Sequence, residues 1–427
     1  MHTTTPAPHT PTPPATAKHN NTPRLRFAEF QEAVPTHPLS GIAEIVNEKI
    51  RVEAISSSSY VSTENLLPEF AGMAATGNLP PVISVTRFQP KDILISNIRP
   101  YLKKVWQADI HGGASNDVLV VRAKSHVDAN YLAALLRSDH FIDYVMRGAK
   151  GVKMPRGEIS MIREFPIPCP SDAEQQKIAA CLTSLDTLIT AQTQKLDTLK
   201  THKKGLMQQL FPRAGETTPR LRFAEFRGEW EQMPLCKVCN VLQGYGFPEA
   251  LQGEIDGKYP FCKVSDISKA VAENGGNLVS AANYIDDEVL LKLKAKTIPN
   301  NSTVFAKIGE ALRLNRRAYV RKECLIDNNV TGLKAIDEVA DDYFIYLLSQ
   351  MIDLNNYCGG AVPSVNKATL EEIPVVIPTL EEQQKIAACL SSLDELITAQ
   401  AQKVAALQTH KKGLMQQLFP AQAKASA

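Results

Sequence analysis

Clustered basic side chains are the residues of this chain whose types and spacing point to chemistry. Arginine and lysine neutralise phosphates, and arginine can also donate two hydrogen bonds to the edge of guanine. The clusters lie beside glycine or polar residues, which let phosphates approach. The candidate nucleic-acid contacts are Arg99, Lys103, Lys104, Lys150, Lys153, Arg156, Arg313, Arg316, Arg317 and Lys367. The alternative for each cluster is an ordinary solvated surface.

Cysteine spacing predicts no metal site. Of the eight cysteines, only Cys236 and Cys239 have C-x-x-C spacing, and neither a second pair nor histidines at ligand spacing follow them. Eight cysteines in 427 residues are also too few for the disulfide framework of a secreted protein. We therefore expect reduced thiols and no bound metal on this chain.

Known catalytic motifs are absent from the sequence. There is no phosphate-binding loop, dinucleotide fingerprint, nucleophile elbow, zinc helix or amino-methyltransferase N-P-P-[FY] motif. His202 and His410 both lie in T-H-K-K-G segments, where a histidine near a helix end suits the helix dipole. We expect no catalysis by the chain itself, and an enzyme with an unfamiliar motif is the alternative.

The composition is that of an ordinary globular protein. The chain is 44% hydrophobic and 22% charged, and it has no apolar run long enough for a transmembrane helix. Its formal net charge of +2 excludes a strongly basic chain, so any nucleic-acid role must rest on local patches. Residues 1–21 are rich in threonine and proline and predict a disordered tail without a secretory signal. The expected location is therefore the cytoplasm.

An internal repeat organises the chain. Residues 173–212 return as 381–420, with 32 of 40 positions identical, and the peptide TPRLRFAEF at 22–30 returns at 218–226. The blocks between them, about 31–170 and 227–378, share no obvious identity. The repeated parts therefore predict one shared role, and the dissimilar parts predict two parallel but different roles. The alternative is a recent duplication followed by drift.

The long repeat carries a heptad pattern. Apolar residues recur at alternating steps of four and three, which predicts a coiled coil that Pro212 and Pro420 terminate. At 1.5 Å per residue, each helix is about 55 Å long. The predicted core positions are Ile178, Leu182, Leu185, Ile189, Leu196, Leu199, Leu206, Leu210, Ile386, Leu390, Leu393, Ile397, Val404, Leu407, Leu414 and Leu418.

The orientation of the two helices follows from their polar core positions. A parallel pair in register would place Lys203 against Lys411, and two like charges repel. An antiparallel pair places Lys203 near Leu393 instead, and it brings Gln192 and Gln400 together near the middle. We therefore predict an antiparallel coiled coil with a pseudo-two-fold axis. The alternative is a helical hairpin or dimer zipper without a spacing role.

Both variable blocks mix short strands with helices in the same order. Residues 131–148 and 342–358 are predicted to be equivalent helices, and each is followed by a glycine-rich loop. Residues 316–326 are predicted to form one strand of the second block. We assign both blocks to one α/β (α+β) fold. The predicted domains are a tail at 1–21, a first α/β domain at 22–170, a first helix at 171–212, a linker and second α/β domain at 213–378, a second helix at 379–420 and a tail at 421–427.

Several motifs together resemble the specificity subunit of type I restriction-modification systems. The resemblance covers nearly all of residues 22–420 and includes the two-copy arrangement. The motifs are EQQKIA and HKKGLMQQLFP in both repeats, TPRLRF, NIRPYLKKVW at 97–106, GVKMPRGEI at 151–159 and GKYPFCKVSDI at 257–267.

The resemblance implies a function for each part. Each variable block would be a target-recognition domain that reads one half of a split double-stranded DNA sequence. The helices would form an antiparallel coiled coil that sets the gap between the halves and docks two methylation subunits, with restriction subunits added for cleavage. S-adenosylmethionine would be bound by the methylation subunits, which modify adenine, and the specificity subunit would bind no cofactor. The specificity subunit itself would catalyse nothing, and no membrane partner is expected.

Two other interpretations of the residues are open. A coiled-coil adaptor could use its two α/β blocks to bind proteins, and a solitary DNA-binding regulator could act without methylation partners. Neighbouring genes for methylation and restriction subunits would favour the restriction-modification hypothesis over both alternatives.

Overall fold

The computed structural model describes residues 23–74 and 77–419. The predicted tails, 1–21 and 421–427, lie outside the described residues. The chain divides into two compact units. The first unit holds the described residues up to 190 and those from 406 onward, and the second unit holds residues 191–405. The first boundary falls inside one long helix and the second inside the other.

The first unit is a mixed α/β structure. Its strands are β1 (Thr36–Pro38), β2 (Ala43–Ile45), β3 (Lys49–Arg51), β4 (Tyr60–Val61), β5 (Ser84–Phe88), β6 (Ile93–Ser96), β7 (Val105–Gln107), β8 (Gly112–Ala114), β9 (Val118–Ala123) and β10 (Pro166–Pro168). Its helices are α1 (Leu39–Ile42), α2 (Ala129–Leu136), α3 (Asp139–Arg147), α4 (Ile159–Arg163) and the first part of α5 (Asp172–Leu210).

Two four-stranded sheets build this unit, with orders β2-β9-β6-β7 and β3-β5-β8-β4. Successive side chains of a strand point to opposite faces. Ile93 and Ile95 accordingly pack among residues of α2 and α3, whereas Leu94 between them packs with Phe88 of the other sheet. The apolar run of β6 is therefore buried on both faces.

The second unit repeats this plan with other residues. Its strands are β11 (Glu231–Pro234), β12 (Cys239–Gln243), β13 (Tyr259–Cys262), β14 (Asn277–Leu278), β15 (Asn283–Ile285), β16 (Thr303–Ala306), β17 (Ala318–Val320), β18 (Leu325–Ile326), β19 (Val330–Ala335) and β20 (Pro374–Ile377). Its helices are α6 (Val264–Glu273), α7 (Asp287–Lys292), α8 (Glu310–Arg313), α9 (Asp342–Met351), α10 (Lys367–Glu371) and most of α11 (Leu380–Leu418).

Four strands of the main sheet match between the two units. The second unit has the order β12-β19-β16-β17-β14, whose first four strands correspond to β2-β9-β6-β7. The antiparallel pair β1–β10 corresponds to β11–β20. The smaller sheets differ, since the second unit has β15-β13-β18 in place of the four-stranded β3-β5-β8-β4. The prediction of one fold in both blocks is confirmed for the main sheet.

The long helices α5 and α11 each have 39 residues and pack antiparallel. In the first unit, Ile178 and Leu182 near the start of α5 pack with Leu418 at the end of α11. In the second unit, Ile386 and Leu390 near the start of α11 pack with Leu210 at the end of α5. The predicted antiparallel pairing is confirmed, and every predicted core position is buried or half-buried.

The predicted polar pair also meets in the seam. The side-chain amide of Gln400 is buried, and its Nε2 donates hydrogen bonds to the backbone oxygen and Oε1 of Gln192, at 2.9 and 3.0 Å. A buried amide that finds its partner at only one alignment fixes the register of a coiled coil.

No helix in the described part of the chain is long and apolar enough to span a membrane.

Candidate nucleic-acid interface

A short hairpin follows α3 in the first unit. We call residues 150–156 the first hairpin. Its ends are joined by two backbone hydrogen bonds, Lys150 N to Arg156 O at 3.0 Å and Arg156 N to Lys150 O at 2.9 Å. Gly151 has a φ of +101°, a conformation that a residue with a side chain rarely adopts. The closed base and the turn give the loop a defined shape.

The first hairpin is fixed to the loop that follows β6. Arg99 N donates to Pro155 O at 2.8 Å, and Gly157 N donates to Asn97 O at 3.2 Å. A Cβ added at Gly157 would lie 2.7 Å from Asn97 Oδ1 and 2.8 Å from Val145 Cγ1, so only glycine fits there. The two basic motifs of the first block, 97–106 and 151–159, are therefore brought together.

The second unit has the same arrangement. We call residues 359–364 the second hairpin, which is closed by an antiparallel bridge between Gly359 and Ser364. Gly309 N donates to Pro363 O at 2.8 Å, and Val365 N donates to Lys307 O at 3.0 Å. These bonds link the hairpin to the loop after β16, just as those of the first hairpin link it to the loop after β6.

Basic side chains surround the first hairpin. Arg99 and Lys153 are exposed. Lys150 is exposed and lies 2.6 Å from Glu158, whose carboxylate raises the pKa of the ammonium group. The guanidinium of Arg156 lies 3.1 Å from Asp117 and is also largely exposed. These four predicted residues share one solvent-facing region around the hairpin, where a phosphate could replace the surface carboxylates.

Lys103 and Lys104 differ from these four because their ammonium groups already hold internal partners. Lys103 Nζ lies 3.0 Å from Asp139 and 3.1 Å from Glu69, and both hydrogen bonds raise its pKa. Lys104 Nζ donates to the backbone oxygen of Thr63 at 2.7 Å. A phosphate contact at either lysine would require these bonds to break.

The other predicted basic residues of the second unit lie at the end of α8, just after α8 and at the start of α10. Arg313 at the end of α8 is exposed and lies 3.5 Å from Glu310. Lys367 begins α10, three residues after the end of the hairpin, and its ammonium group lies 3.5 Å from Glu371. Arg316 is partly exposed. All three ammonium or guanidinium groups are accessible to an anion.

Arg317 was predicted to contact nucleic acid, and the structure contradicts this prediction. Its side chain is only 4% exposed, and its guanidinium lies 4.4 Å from the centre of the Phe305 ring and donates to Asn315 Oδ1 at 2.9 Å. Burial lowers its pKa to about 10. Arg317 directly precedes β17, and continuing the pairing of β16 with β17 by one residue sets it opposite Phe305, as the buried Val105 is paired with Ile95 in the first unit. It is a core residue and is not available to a phosphate.

The hairpin anchors themselves were missed by reasoning from residue types. The anchoring groups of Asn97, Gly309 and Lys307 belong to the backbone, so their side chains carry no signal. One signal was present, because Pro155 and Pro363 are 208 positions apart, the same offset that separates the long repeats. Aligning the blocks by that offset would have matched the two hairpins.

No candidate metal site accompanies this interface in the described residues. No group of three or more histidine, cysteine, aspartate or glutamate side chains among them could hold a metal ion. Cys236 is exposed, whereas Cys239 is buried, and burial raises the pKa of its thiol to about 12. The Cys239 thiol is therefore protonated at neutral pH.

The long helices carry a second repeated surface. Leu188 of α5 and Leu396 of α11 occupy equivalent repeat positions and are 42% and 55% exposed, although both are large and apolar. Both lie outside the predicted heptad core. Each helix therefore presents one exposed leucine in nearly identical surroundings.

Known proteins resemble this chain in both of its units. The family model for the type I restriction modification DNA specificity domain matches residues 83–201 and again residues 227–409. A putative type I restriction enzyme specificity subunit, MjaX, of Methanocaldococcus jannaschii is 26% identical over 328 residues, which span 73% of this chain and 71% of the relative.

Two solved structures share the fold. The crystal structure of the type I restriction-modification S subunit of M. genitalium aligns with 94% of this chain and 100% of its own, with a TM-score of 0.60 and 14% identity. A chain from a structure on complex assembly and conformational transition of the type I restriction-modification system aligns with 91% of this chain and 99% of its own, with a TM-score of 0.55 and 17% identity.

Proposed function

Because the chain belongs to the type I restriction modification DNA specificity domain family, we propose that each unit reads one half of a split DNA target. The chain specifies DNA sequence for a type I restriction-modification complex and is not itself the catalyst, and its partners are DNA and the methylation and restriction subunits. The observation that carries the proposal is the pair of hairpins, which have the same backbone anchors and different side chains.

In this proposal, exposed basic side chains around each hairpin bind the DNA backbone. Arg99, Lys150, Lys153 and Arg156 would contact phosphates or guanine edges in one half-site. Arg313, Arg316 and Lys367 would do so in the other. Phosphate contacts position the protein on the duplex, and contacts with base edges specify the sequence. The different side chains of the two units then give two different half-sites.

The helices are proposed to dock the methylation subunits and to set the unread gap. Leu188 and Leu396 support this, because two equivalent exposed leucines fit two copies of one partner. Two methylation subunits per chain would bring S-adenosylmethionine and modify adenine, while this chain would hold no cofactor. Restriction subunits would join this assembly, and the complex would act in the cytoplasm.

The methylated sequence tests the proposal directly. The chain is expressed together with its methylation subunit in a host that lacks adenine methylation, and modified adenines are mapped across the genome. We expect two short defined sequences separated by a fixed gap, and no such motif without the chain. The proposal fails if the two proteins associate but no motif depends on the chain, and that result would favour an adaptor or a solitary regulator.

A further inference from the structure

Each hairpin exposes an apolar side chain at the same structural position. Met154 in the first hairpin and Val362 in the second are 50% and 59% exposed. Each directly precedes the proline whose carbonyl oxygen accepts the anchoring bond, and Pro155 and Pro363 are themselves buried. Single exposed apolar residues are common on proteins. A repeated one at the same anchored position in two otherwise different units indicates a shared purpose.

The backbone holds these side chains in place before any ligand binds. A residue before proline is restricted to extended conformations, because the proline ring clashes with the alternatives. The proline is in turn fixed by the backbone N–H of Arg99 in the first unit and of Gly309 in the second. The backbone at Met154 and Val362 is therefore already restricted, and it loses little conformational freedom when the two apolar side chains contact a partner.

The surroundings of the hairpins favour DNA as that partner. Lys150, Lys153 and Arg156 flank Met154, and Lys367 lies shortly after Val362. Val152, which is fully exposed, adds a second apolar group to the first hairpin. Apolar side chains among cations suit a ligand that has an anionic backbone and an apolar group between its phosphates. In the major groove of DNA, that apolar group is the C5-methyl of thymine.

We propose that Met154 and Val362 each contact the C5-methyl group of a thymine, one in each half of the target, through the major groove. The major groove is wide enough for a two-stranded hairpin. This inference rests on the proposed function and adds to it the residues that distinguish thymine from cytosine at one base pair of each half-site. Val362 acts in the second unit as Met154 does in the first.

Replacing thymine with deoxyuridine tests this inference, because it removes only the methyl group. The assembled complex with its methylation subunits is titrated against duplexes carrying the mapped target, in which each thymine of both strands is replaced singly. We expect one position in each half-site at which the wild-type complex binds about fourfold more weakly, the factor for burying one methyl group. Elsewhere the replacement should change the affinity little.

Variants assign the two sensitive positions to the two side chains. In Val362→Ala, the sensitive position of one half-site should become insensitive while the other keeps its fourfold loss, and Met154→Ala should give the reverse. Val279→Ala serves as the control, since Val279 is an exposed valine of the second unit outside the hairpin. It should leave both sensitivities unchanged.

Three outcomes would overturn the inference. They are a half-site in which no single replacement of thymine weakens binding by the wild-type complex, sensitivities that persist in both alanine variants, and weaker subunit association in Val362→Ala with unchanged DNA affinity. The last result would show that the hairpin contacts a protein. In each case the chain-dependent methylation motif would still stand, so the failure of this inference is distinguishable from a failure of the proposed function.

Discussion

The ammonium group of Lys203 lies 2.7 and 2.6 Å from the two carboxylate oxygens of Asp394 in the seam of the long helices. The repeat equivalents, Lys411 and Asp186, form the same ion pair in the first unit. Burial lowers the pKa of Lys411, while its bond with Asp186 acts in the opposite direction. Each lysine at a core heptad position is thus neutralised by an aspartate that the antiparallel alignment supplies.

Removing this aspartate should destabilise the second unit. Asp394→Asn leaves the half-buried Lys203 without its counterion, and we expect a loss of about 2 kcal/mol in the free energy of unfolding. The melting temperature should fall by about 5 °C. Asp197→Asn, an exposed aspartate on the same helix as Lys203, is the control and should have little effect. Equal shifts for the two variants would contradict a role for the ion pair.

The exposed arginine of the first hairpin should act on DNA binding and leave assembly intact. Arg156→Ala should weaken binding of the complex by about tenfold and reduce the slope of log affinity against log salt by about 1, as expected for one lost phosphate contact. Association with the methylation subunit, measured by mass photometry, should not change. Arg24→Ala removes an exposed arginine outside the hairpin, and it tests whether the loss of any arginine weakens DNA binding in this way.

Two neighbouring arginines of the second unit should behave differently. Arg313→Met removes an exposed guanidinium and should reduce the salt slope of DNA binding by about 1. Arg317→Met removes a buried guanidinium, so the slope should stay as in the wild type. Its effect on the free energy of unfolding should be under about 2 kcal/mol, because a buried charge is replaced by an apolar side chain of similar length. A reduced slope in Arg317→Met would show that this residue does reach the DNA.

Glycine substitutions separate the hairpin anchor from the helices. In Gly157→Ala, the added Cβ collides with Asn97 and Val145, so the hairpin must move, and stability should fall by about 2 kcal/mol. Affinity for the half-site of the first unit should fall with it. Gly205 lies within α5, where nothing lies within 4 Å of an added Cβ. Gly205→Ala should therefore raise stability by about 0.5–1 kcal/mol, as thermal unfolding can show.

The ion pairs of Asp139 predict how the first unit responds to acid. Hydrogen bonds from Lys412 and Lys103 lower the pKa of its carboxyl below the ordinary value of 3.8. These pairs therefore stabilise the fold above that pH, and their contribution is lost as the pH falls through the lower folded value. Because Asp139 is partly exposed, Asp139→Asn should cost only about 0.5 kcal/mol at neutral pH.

This cost should disappear when the carboxylate is protonated. Melting temperatures of Asp139→Asn and wild type should differ at about pH 7 and converge once the pH falls below the lowered folded pKa of Asp139. Asp143→Asn, an exposed aspartate on the same helix, is the matched control. A difference that persists at low pH would show that Asp139 stabilises α3 through its shape and not through its charge.

The long helices were predictable because periodicity alone defines them. The spacing of apolar residues marked the seam, and the helices end at Leu210 and Leu418, two residues before the predicted stops at Pro212 and Pro420. The polar residues at core positions gave the antiparallel direction. What the pattern did not show is that Asp186 and Asp394, next to core leucines, would neutralise the lysines.

Local patterns failed where a cap or a turn interrupts an apolar run. Residues 131–148 were predicted as one helix, but the structure has α2 and α3, because Ser138 Oγ accepts a hydrogen bond from Phe141 N and starts a new helix. Residues 316–326 were predicted as one strand and instead form β17 and β18 in different sheets. The predicted helix at 342–358 ends as α9 at Met351.

The anchors of the hairpins have a consequence for the evolution of this chain. Each anchoring bond runs from a backbone N–H to a backbone carbonyl oxygen, and every amino acid except proline has both groups. Substitutions at the hairpin tips can therefore accumulate without loss of the attachment. Selection on the stability of the hairpin and selection on the DNA sequence that it recognises are thus largely separate. Point mutations at the tip can therefore produce a new sequence preference while the scaffold stays unchanged.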